Sequence, residues 1–440
     1  MAEQKVPKTL KTHGYAINCV ADSDQPTSTV ALLRSTNTIR GRADMLLARA
    51  RRGESAFFSI NDGAMLTTAV LVAELTRARF PDLQIPYHSR WRHFEAGGVN
   101  RAALLDHALG PVTPAERARA QIDLALVGVL LDAGAGPDWA FCEAAAGQQP
   151  CRHEYTRSEG LGVASFHAFM AGLFSGDAGR PLQADAKGLQ AVSADALADA
   201  FQVSKTNPLV GLEGRAALLR KLGKVVEDQP EVFGSPGRPG HLFDLLTAGG
   251  QRSIAAHDIL SVLLSALAPI WPAQNAIDNV ALGDCWMHSA VKAGVDGKNN
   301  GLGAGWMPFH KLSQWLTYSL LEPFEWAGIR VEGIGALTGL PEYRNGGLFI
   351  DSGVLRLNEP AQASRSFSAG DELIVEWRAL TVALLDELAP MVRSHLGLNA
   401  AQMPLACVLE GGTWAAGRVL AQQLRQGLPP LKIQSDGTVF

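Results

Sequence analysis

Cysteine is scarce and scattered: Cys19, Cys142, Cys151, Cys285 and Cys407 are odd in number, widely spaced and form no Cys-x-x-Cys pair in 440 residues. That distribution argues against a disulfide framework and for reduced thiols in a cytosol. An excess of one charge sign is missing too, since the formal net charge is −4 and no long basic block occurs. The densest cluster, Arg49-Ala50-Arg51-Arg52 with Arg40 and Arg42 upstream, suits a helix surface, so nucleic acid is not expected as a partner. Long apolar runs are absent as well. The most apolar, Ile259 to Trp271, is broken by Pro269, followed by Pro272 and too short to span a bilayer. Met1 to Thr12 carries lysines but not the apolar stretch of a secretory signal. The expectation is a soluble cytoplasmic protein with no membrane partner.

Standard catalytic signatures are equally absent: no Walker loop, no Gly-x-Gly-x-x-Gly after a strand, no His-Glu-x-x-His and no Gly-x-Ser-x-Gly elbow. Gly301-Leu302-Gly303-Ala304-Gly305 lacks the lysine and strand that nucleotide binding needs. Cys151, His153 and Glu154 lack a fourth ligand at useful spacing. The sequence therefore favours chemistry without a metal or redox cofactor.

What is present is a hydrophobic fraction of 47%, enough for a large core. Helical periodicity dominates, in Ala31-Leu32-Leu33 leading into Ile39 and Met45-Leu46-Leu47, then Met65 to Leu75, Ile122 to Leu131, Leu161 to Phe174 and Leu373 to Val392. Val408-Leu409-Glu410 and Leu431-Lys432-Ile433 read as short strands without obvious partners. The expected fold class is mainly α, a large helical domain over 1–440 with at most a few short strands. Breakers around 134–137, 176–181, 234–240 and 297–305 mark loops. The stretch Phe233 to Gly240 is where two lobes would meet, if there are two.

The most informative stretch is 309–355, which puts Lys311, Glu342, Arg344 and Asp351 beside Trp315, Tyr318 and Tyr343 in an apolar region. Charges among aromatics suggest a walled pocket able to hold a polar ring and to shift a carboxyl pKa. Phe309, Leu312, Leu316 and Leu320 form the apolar face of a helix, while Lys311, Gln314 and Tyr318 share another stripe. That stripe lines a cavity or a partly exposed face, and Glu322-Pro323 is expected to stop or bend the helix. Leu340-Pro341 and Asn345-Gly346-Gly347 predict a tight connection with positive φ, presenting Glu342 and Arg344 either to a ligand or to each other as an ion pair.

Other clusters add candidates. Arg90-Trp91-Arg92-His93-Phe94-Glu95 combines donors, an acid and rings, suited either to anchoring a substrate or to covering the core. Arg157-Ser158-Glu159-Gly160 precedes an apolar helix that Ser158 would cap and Glu159 would complement electrostatically, leaving Glu159 open as a site residue. Asp284 and His288 would touch if their segment were helical. Gly411-Gly412-Thr413-Trp414 reads as a capped helix N-terminus with Arg418 one turn in, a weak anion site.

The chain resembles a family long listed as a domain of unknown function and found with the uracil-catabolism genes of fungi and bacteria. The matching phrases are Leu33-Arg34-Ser35, Trp91 to Phe94, Arg157 to Gly160, Phe309 to Leu321, Leu337 to Leu355, Leu409 to Trp414 and Ser435 to Phe440. The resemblance implies a pathway in which uracil passes through ring-opened ribosylurea-type intermediates, with a cyclohydrolase-like enzyme and a uracil phosphoribosyltransferase as companions. Phe309, Lys311, Gln314, Leu337-Thr338, Glu342-Tyr343-Arg344 and Gly353-Val354-Leu355 also resemble a phrase of the queuosine salvage proteins, nucleoside glycosidases with a helical fold related to DNA glycosylases. Glu342 stands where those proteins have aspartate.

Together the resemblances imply hydrolysis of the N-glycosidic bond of ribosylurea or its phosphate, a nucleoside-like or nucleotide-like small molecule. Glu342 would act as base or electrostatic stabiliser, with Asp351 and Glu159 as alternates. Lys311, Arg344, Arg92 and Arg157 would bind substrate, with Gln314, Tyr318, Tyr343, Trp91, His93, Asp284 and His288 as further candidates. An amidohydrolase acting on a ureido group and a noncatalytic binding partner are the other classes.

Overall fold

The computed structural model describes residues 26–143, 153–271, 275–291 and 301–434. Its architecture is mainly α. The apolar repeat of 373–392 becomes the Glu372–Leu396 helix, whose buried positions run from Leu373 through Val375, Leu380 and Leu384 to Leu396. Hydrophobic side chains on nearly every face mark a helix surrounded by others. It packs on Thr36–Arg51 and Met65–Arg79, while Lys311–Trp326 packs on Pro114–Leu130. The Ile122 to Leu131 pattern falls in that last helix, where Ile122 and Leu124 to Val127 are buried. No described helix is long and apolar enough to cross a membrane.

Strands among the described residues are short and form two-stranded pairs. Leu431-Lys432-Ile433 contributes Lys432–Ile433, parallel to Ser366–Phe367. Val408-Leu409-Glu410 is instead helical: Leu405–Val408 runs through a π-helical turn, Leu409–Thr413, into Trp414–Arg425. The expected helix N-terminus at Gly411-Gly412 therefore does not exist, because these glycines sit inside a continuous helical segment. Their small size serves packing, since a Cβ on Gly412 would lie 2.4 Å from the Val72 carbonyl oxygen.

Two further local readings change. Pro323 does not stop its helix, which continues to Trp326. The carbonyl four residues earlier, Ser319, lacks an intrahelical donor because proline has no N–H, and the Trp91 indole N–H takes it at 2.9 Å. Asn345-Gly346-Gly347 forms no positive-φ turn but lies within the Tyr343–Asp351 helix. There the glycines allow close approach, a Cβ on Gly346 falling 2.8 Å from the Trp377 ring.

Cys285 and Cys407 are buried free thiols. Cys142 is disulfide-bonded, a correction to the expectation of reduced thiols. A single cross-link needs only two cysteines close in space, which an odd count does not prevent. The Phe233 to Gly240 stretch is fastened to the Pro114–Leu130 helix: Arg238 pairs with Asp123 at 2.6 Å and Glu116 at 2.7 Å, and the Gly240 N–H donates to Asp123 at 2.6 Å.

Candidate active site

The Lys311–Trp326 helix begins after His310, whose φ of +50° turns the chain sharply into it. His310 provides no side-chain cap. Asp284 does so from a neighbouring strand end, accepting the Lys311 N–H at 2.9 Å. Its carboxylate also takes both terminal nitrogens of Arg378 at 2.7 Å and the Trp286 indole N–H at 2.8 Å. Burial alone would raise the Asp284 pKa, yet the Arg378 guanidinium and these donors hold it down to about 2. Arg378 in turn lies 4.0 Å above the Phe309 ring. Asp284 thus fixes where Lys311 starts rather than lining the cleft.

One turn along, Gln314 and Tyr318 clamp the strand-like segment before Glu342. The Gln314 side-chain oxygen accepts the Thr338 N–H at 3.3 Å, and the Tyr318 hydroxyl donates to the Thr338 carbonyl at 2.9 Å. Asn345 ties the same segment through the Leu340 carbonyl at 3.1 Å, and Thr413 donates to Asn345 at 2.8 Å. Held in this way, Glu342 becomes the N-cap of the Tyr343–Asp351 helix. Its two oxygens accept the N–H groups of Arg344 at 2.6 Å and Asn345 at 2.7 Å. Burial raises the Glu342 pKa above the usual range; the two N–H groups, Lys311 and His88 oppose that rise. Burial likewise lowers the Lys311 pKa, with Glu342 the largest influence in the other direction.

These residues open on a cleft of about 290 Å³, lined among others by His88, His93, Asp132, Arg157, Lys311, Trp315, Glu342, Tyr343 and Trp414. The cleft brings together Glu342, Lys311, Tyr343, His93 and Arg157, which the sequence offered from three separate segments. Arg157 adopts φ +53° at the start of the Arg157–Met170 helix, with Ser158 beside it on the cleft wall. Thr156 is the N-cap position, so Ser158 sits in the first turn and does not cap.

The other candidates lie elsewhere. Asp351 is buried against Arg425 at 2.5 Å. Glu159 meets Arg418 at 3.0 Å on a half-exposed face, which also occupies the cation of the supposed anion site. Arg344 makes no ion pair with Glu342; its guanidinium donates to the Gly427 carbonyl at 3.2 Å and stacks 4.8 Å from the Tyr343 ring. Arg92 pairs with Glu322 at 2.6 Å and Glu95 at 3.1 Å. Trp91 is spent on the Ser319 carbonyl. Asp284 and His288 do not touch, because Cys285–Met287 is a strand rather than a helical turn, and His288 pairs with Glu376 at 3.1 Å.

Several cleft residues had no assigned role in the sequence. His88 precedes the Arg90 to Glu95 cluster by only a turn, yet nothing local marks it. Its Nδ1 meets Glu410 at 2.8 Å, and Glu410 also pairs with Arg79 at 2.8 Å. Burial would raise the Glu410 pKa, but His88 and Arg79 hold it below the usual range. Glu410 reaches His88 from the π-helical turn, a distortion often found at functional sites. Asp132 faces the cleft from the loop that the glycines of 134–136 create, neutralised by the fully buried Arg90 at 3.1 Å. Among the described residues no group of three His, Cys, Asp or Glu side chains is arranged to hold a metal; Cys151 lies outside them.

A carboxylate fixed by backbone amides, beside a lysine and a carboxylate-bound histidine, within aromatic walls, can stabilise positive charge and relay protons. Comparison with known proteins places the whole site within one family. The chain is 39% identical to protein urg3 of Schizosaccharomyces pombe over 426 residues, covering 94% of this chain and all of that protein. It is 38% identical to uracil catabolism protein 4 of Lachancea kluyveri over 383 residues, 81% of this chain and 85% of that one. The family model described as protein of unknown function, DUF1688, matches residues 32–440, and the chain belongs to that family.

Proposed function

We propose that this protein is a cytoplasmic enzyme of uracil catabolism that hydrolyses the N-glycosidic bond of ribosylurea or its phosphate, releasing urea and the sugar. The pathway comes from the printed name of the Lachancea kluyveri relative. The chemistry rests on one observation: Glu342 is held by two backbone N–H groups at the wall of an aromatic cleft, next to Lys311 and His88. The same reading takes the helical domain as related to the DNA-glycosylase-like fold of the queuosine salvage proteins.

As the C–N bond lengthens, positive charge builds on the sugar, and a fixed carboxylate stabilises it at no cost of reorganisation. Water then forms the new bond to the anomeric carbon and gives a proton to Glu342. The departing ureido nitrogen receives a proton from His88, which Glu410 orients. Bonds and protons balance once the Glu342 proton returns to His88 through solvent, so that one water is split between the sugar and urea. Lys311, after the two backbone N–H groups, favours the ionised form of Glu342 against the burial that raises its pKa, and Arg157 stands at the rim for the sugar or its phosphate. Asp351 and Glu159 drop out of the acid role, since each is occupied by an arginine away from the cleft.

The test is to incubate purified protein with ribosylurea and with its 5′-phosphate and to measure urea and free sugar. Urea release is expected from at least one, and Glu342→Gln should reduce it about 10²–10⁴-fold while the far-UV circular dichroism stays unchanged. Absence of urea from both substrates at high enzyme concentration refutes the activity.

A further inference from the structure

Among the described residues two carboxylates line the cleft, and only one of them, Glu342, has both oxygens engaged by backbone N–H groups. The other, Asp132, follows the last turn of the Pro114–Leu130 helix, where the closing carbonyls find no partner within the helix. Arg215, a buried side chain of the Leu212–Asp228 helix, supplies donors from outside. It reaches the carbonyls of Leu131 at 3.2 Å, Ala133 at 2.8 Å and Gly134 at 3.1 Å, and that of Val210 as well. The backbone on both sides of Asp132 is thereby fixed before any ligand arrives.

The side chain is fixed too. Its Oδ1 is closed off from the cleft against Nη1 of the fully buried Arg90 at 3.1 Å. Oδ2 differs, because it has no hydrogen-bond partner among the described residues and yet keeps accessible surface. The same Arg90 nitrogen donates to the Ser158 carbonyl at 3.2 Å, so Asp132 shares one stretch of wall with the start of the Arg157–Met170 helix. A carboxylate oxygen only accepts, so whatever it meets must donate.

The surrounding charges narrow the donor. A cation would meet Arg90 and Arg157 there, and also Lys311, which feels Glu342 and Asp132 against the burial that lowers its pKa. An anion without a proton has nothing to donate. A neutral O–H or N–H remains. The ureido N–H groups belong at the bond that breaks, where Glu342 meets Lys311 and His88, whereas Asp132 stands with Arg157 at the sugar.

We infer that Asp132 is a specificity-determining residue that recognises the vicinal hydroxyls of the sugar, both O–H groups donating to the lone pairs of Oδ2. The inference rests on the proposed function for taking this cleft as the active site and for setting the sugar beside Arg157; it requires no bond to be broken.

The test uses the carbocyclic analogue of ribosylurea, in which a methylene replaces the ring oxygen so that no glycosidic bond exists to hydrolyse, and its 2′,3′-dideoxy counterpart. In calorimetric titrations of the full chain the diol analogue should bind at least tenfold more tightly than the dideoxy one. Asp132→Asn is a selective probe: because Arg90 donates, the amide oxygen turns towards it and the NH2 faces the cleft, replacing an acceptor with a donor. It should weaken the diol analogue at least tenfold and leave the dideoxy analogue unchanged, whereas a merely structural role would weaken both. If that variant fails to fold, Asp132→Leu combined with Arg90→Met buries no lone charge and carries the same expectation. Equal binding of the two analogues by wild type, binding of neither, or equal losses for both in the variant would overturn the assignment. If ribosylurea releases no urea yet the diol analogue binds in an Asp132-dependent manner, the assignment stands and the glycosidase reading falls. Urea release together with equal binding of the two analogues removes the role of Asp132 alone.

Discussion

Asp284→Asn is the substitution whose consequence the structure specifies best. It keeps the shape of the side chain and removes its charge beside the Arg378 guanidinium, in a site where Arg378 is 1% and Asp284 9% exposed. Breaking one partner of such a buried pair costs about 3–5 kcal/mol. The Asp284 pKa is held down to about 2 from a usual 3.8, so the pair's contribution is fully present above pH 3.8 and is lost as pH falls through about 2. At neutral pH the whole penalty of the substitution should therefore appear. The damage reaches the cleft, because the same carboxylate accepts the Lys311 N–H and Arg378 donates to the Pro341 carbonyl at 3.4 Å, next to Glu342. Urea denaturation of wild type, Asp284→Asn, Arg378→Met and the double variant measures the coupling, provided the slopes agree. The double variant should be less destabilised than the sum of the singles, because it buries no lone charge. A cost below about 1 kcal/mol for Asp284→Asn, or strict additivity, would refute the account.

Two other outcomes test how the cleft is held and tuned. Gly417→Ala should destabilise the fold by about 1–3 kcal/mol and reduce urea release, because a Cβ there would lie 2.1 Å from the Arg344 carbonyl oxygen at the crossing with the Glu342 helix; equal stability to wild type in urea denaturation would contradict this packing. In the proposed reaction Glu342 acts ionised, and burial raises its pKa, so the rate should rise with pH through an acidic limb placed above the ordinary glutamate value. Lys311 opposes that rise, so Lys311→Met should move the limb to higher pH. A limb in the pH–rate profile that stays in place, or moves to lower pH, would show that the two groups are not coupled.

The helices were legible where one side of the repeat is apolar over several turns, as in Leu373 to Val392 and Ile122 to Leu131. What misled local reading was residue chemistry with two uses. Gly346, Gly347, Gly411 and Gly412 look like turn residues, but each is small because another element presses against it. Pro323 looks like a terminator, yet its missing N–H only releases a carbonyl that Trp91 takes up. Asp284 and His288 look like a pair, but the extended rise of the strand between them carries them too far apart to touch, and they pair with Arg378 and Glu376 instead.

For the site, the sequence by itself determined the ingredients: Lys311 and Glu342 among aromatics near a proline turn, and the His93 and Arg157 clusters beside them. It could do so because each cluster is local, as Glu342-Tyr343-Arg344 and Arg90 to Glu95 are, although the clusters lie far apart along the chain. Only the tertiary structure decided which charges remain for chemistry. Whether an acid is spent depends on an arginine hundreds of residues away, as with Glu410 and Arg79, or from another helix, as with Asp351 and Arg425. Folding alone brings His88 and Asp132 to the same cleft as Lys311 and Glu342, because their positions come from the packing of distant segments rather than from spacing along the chain.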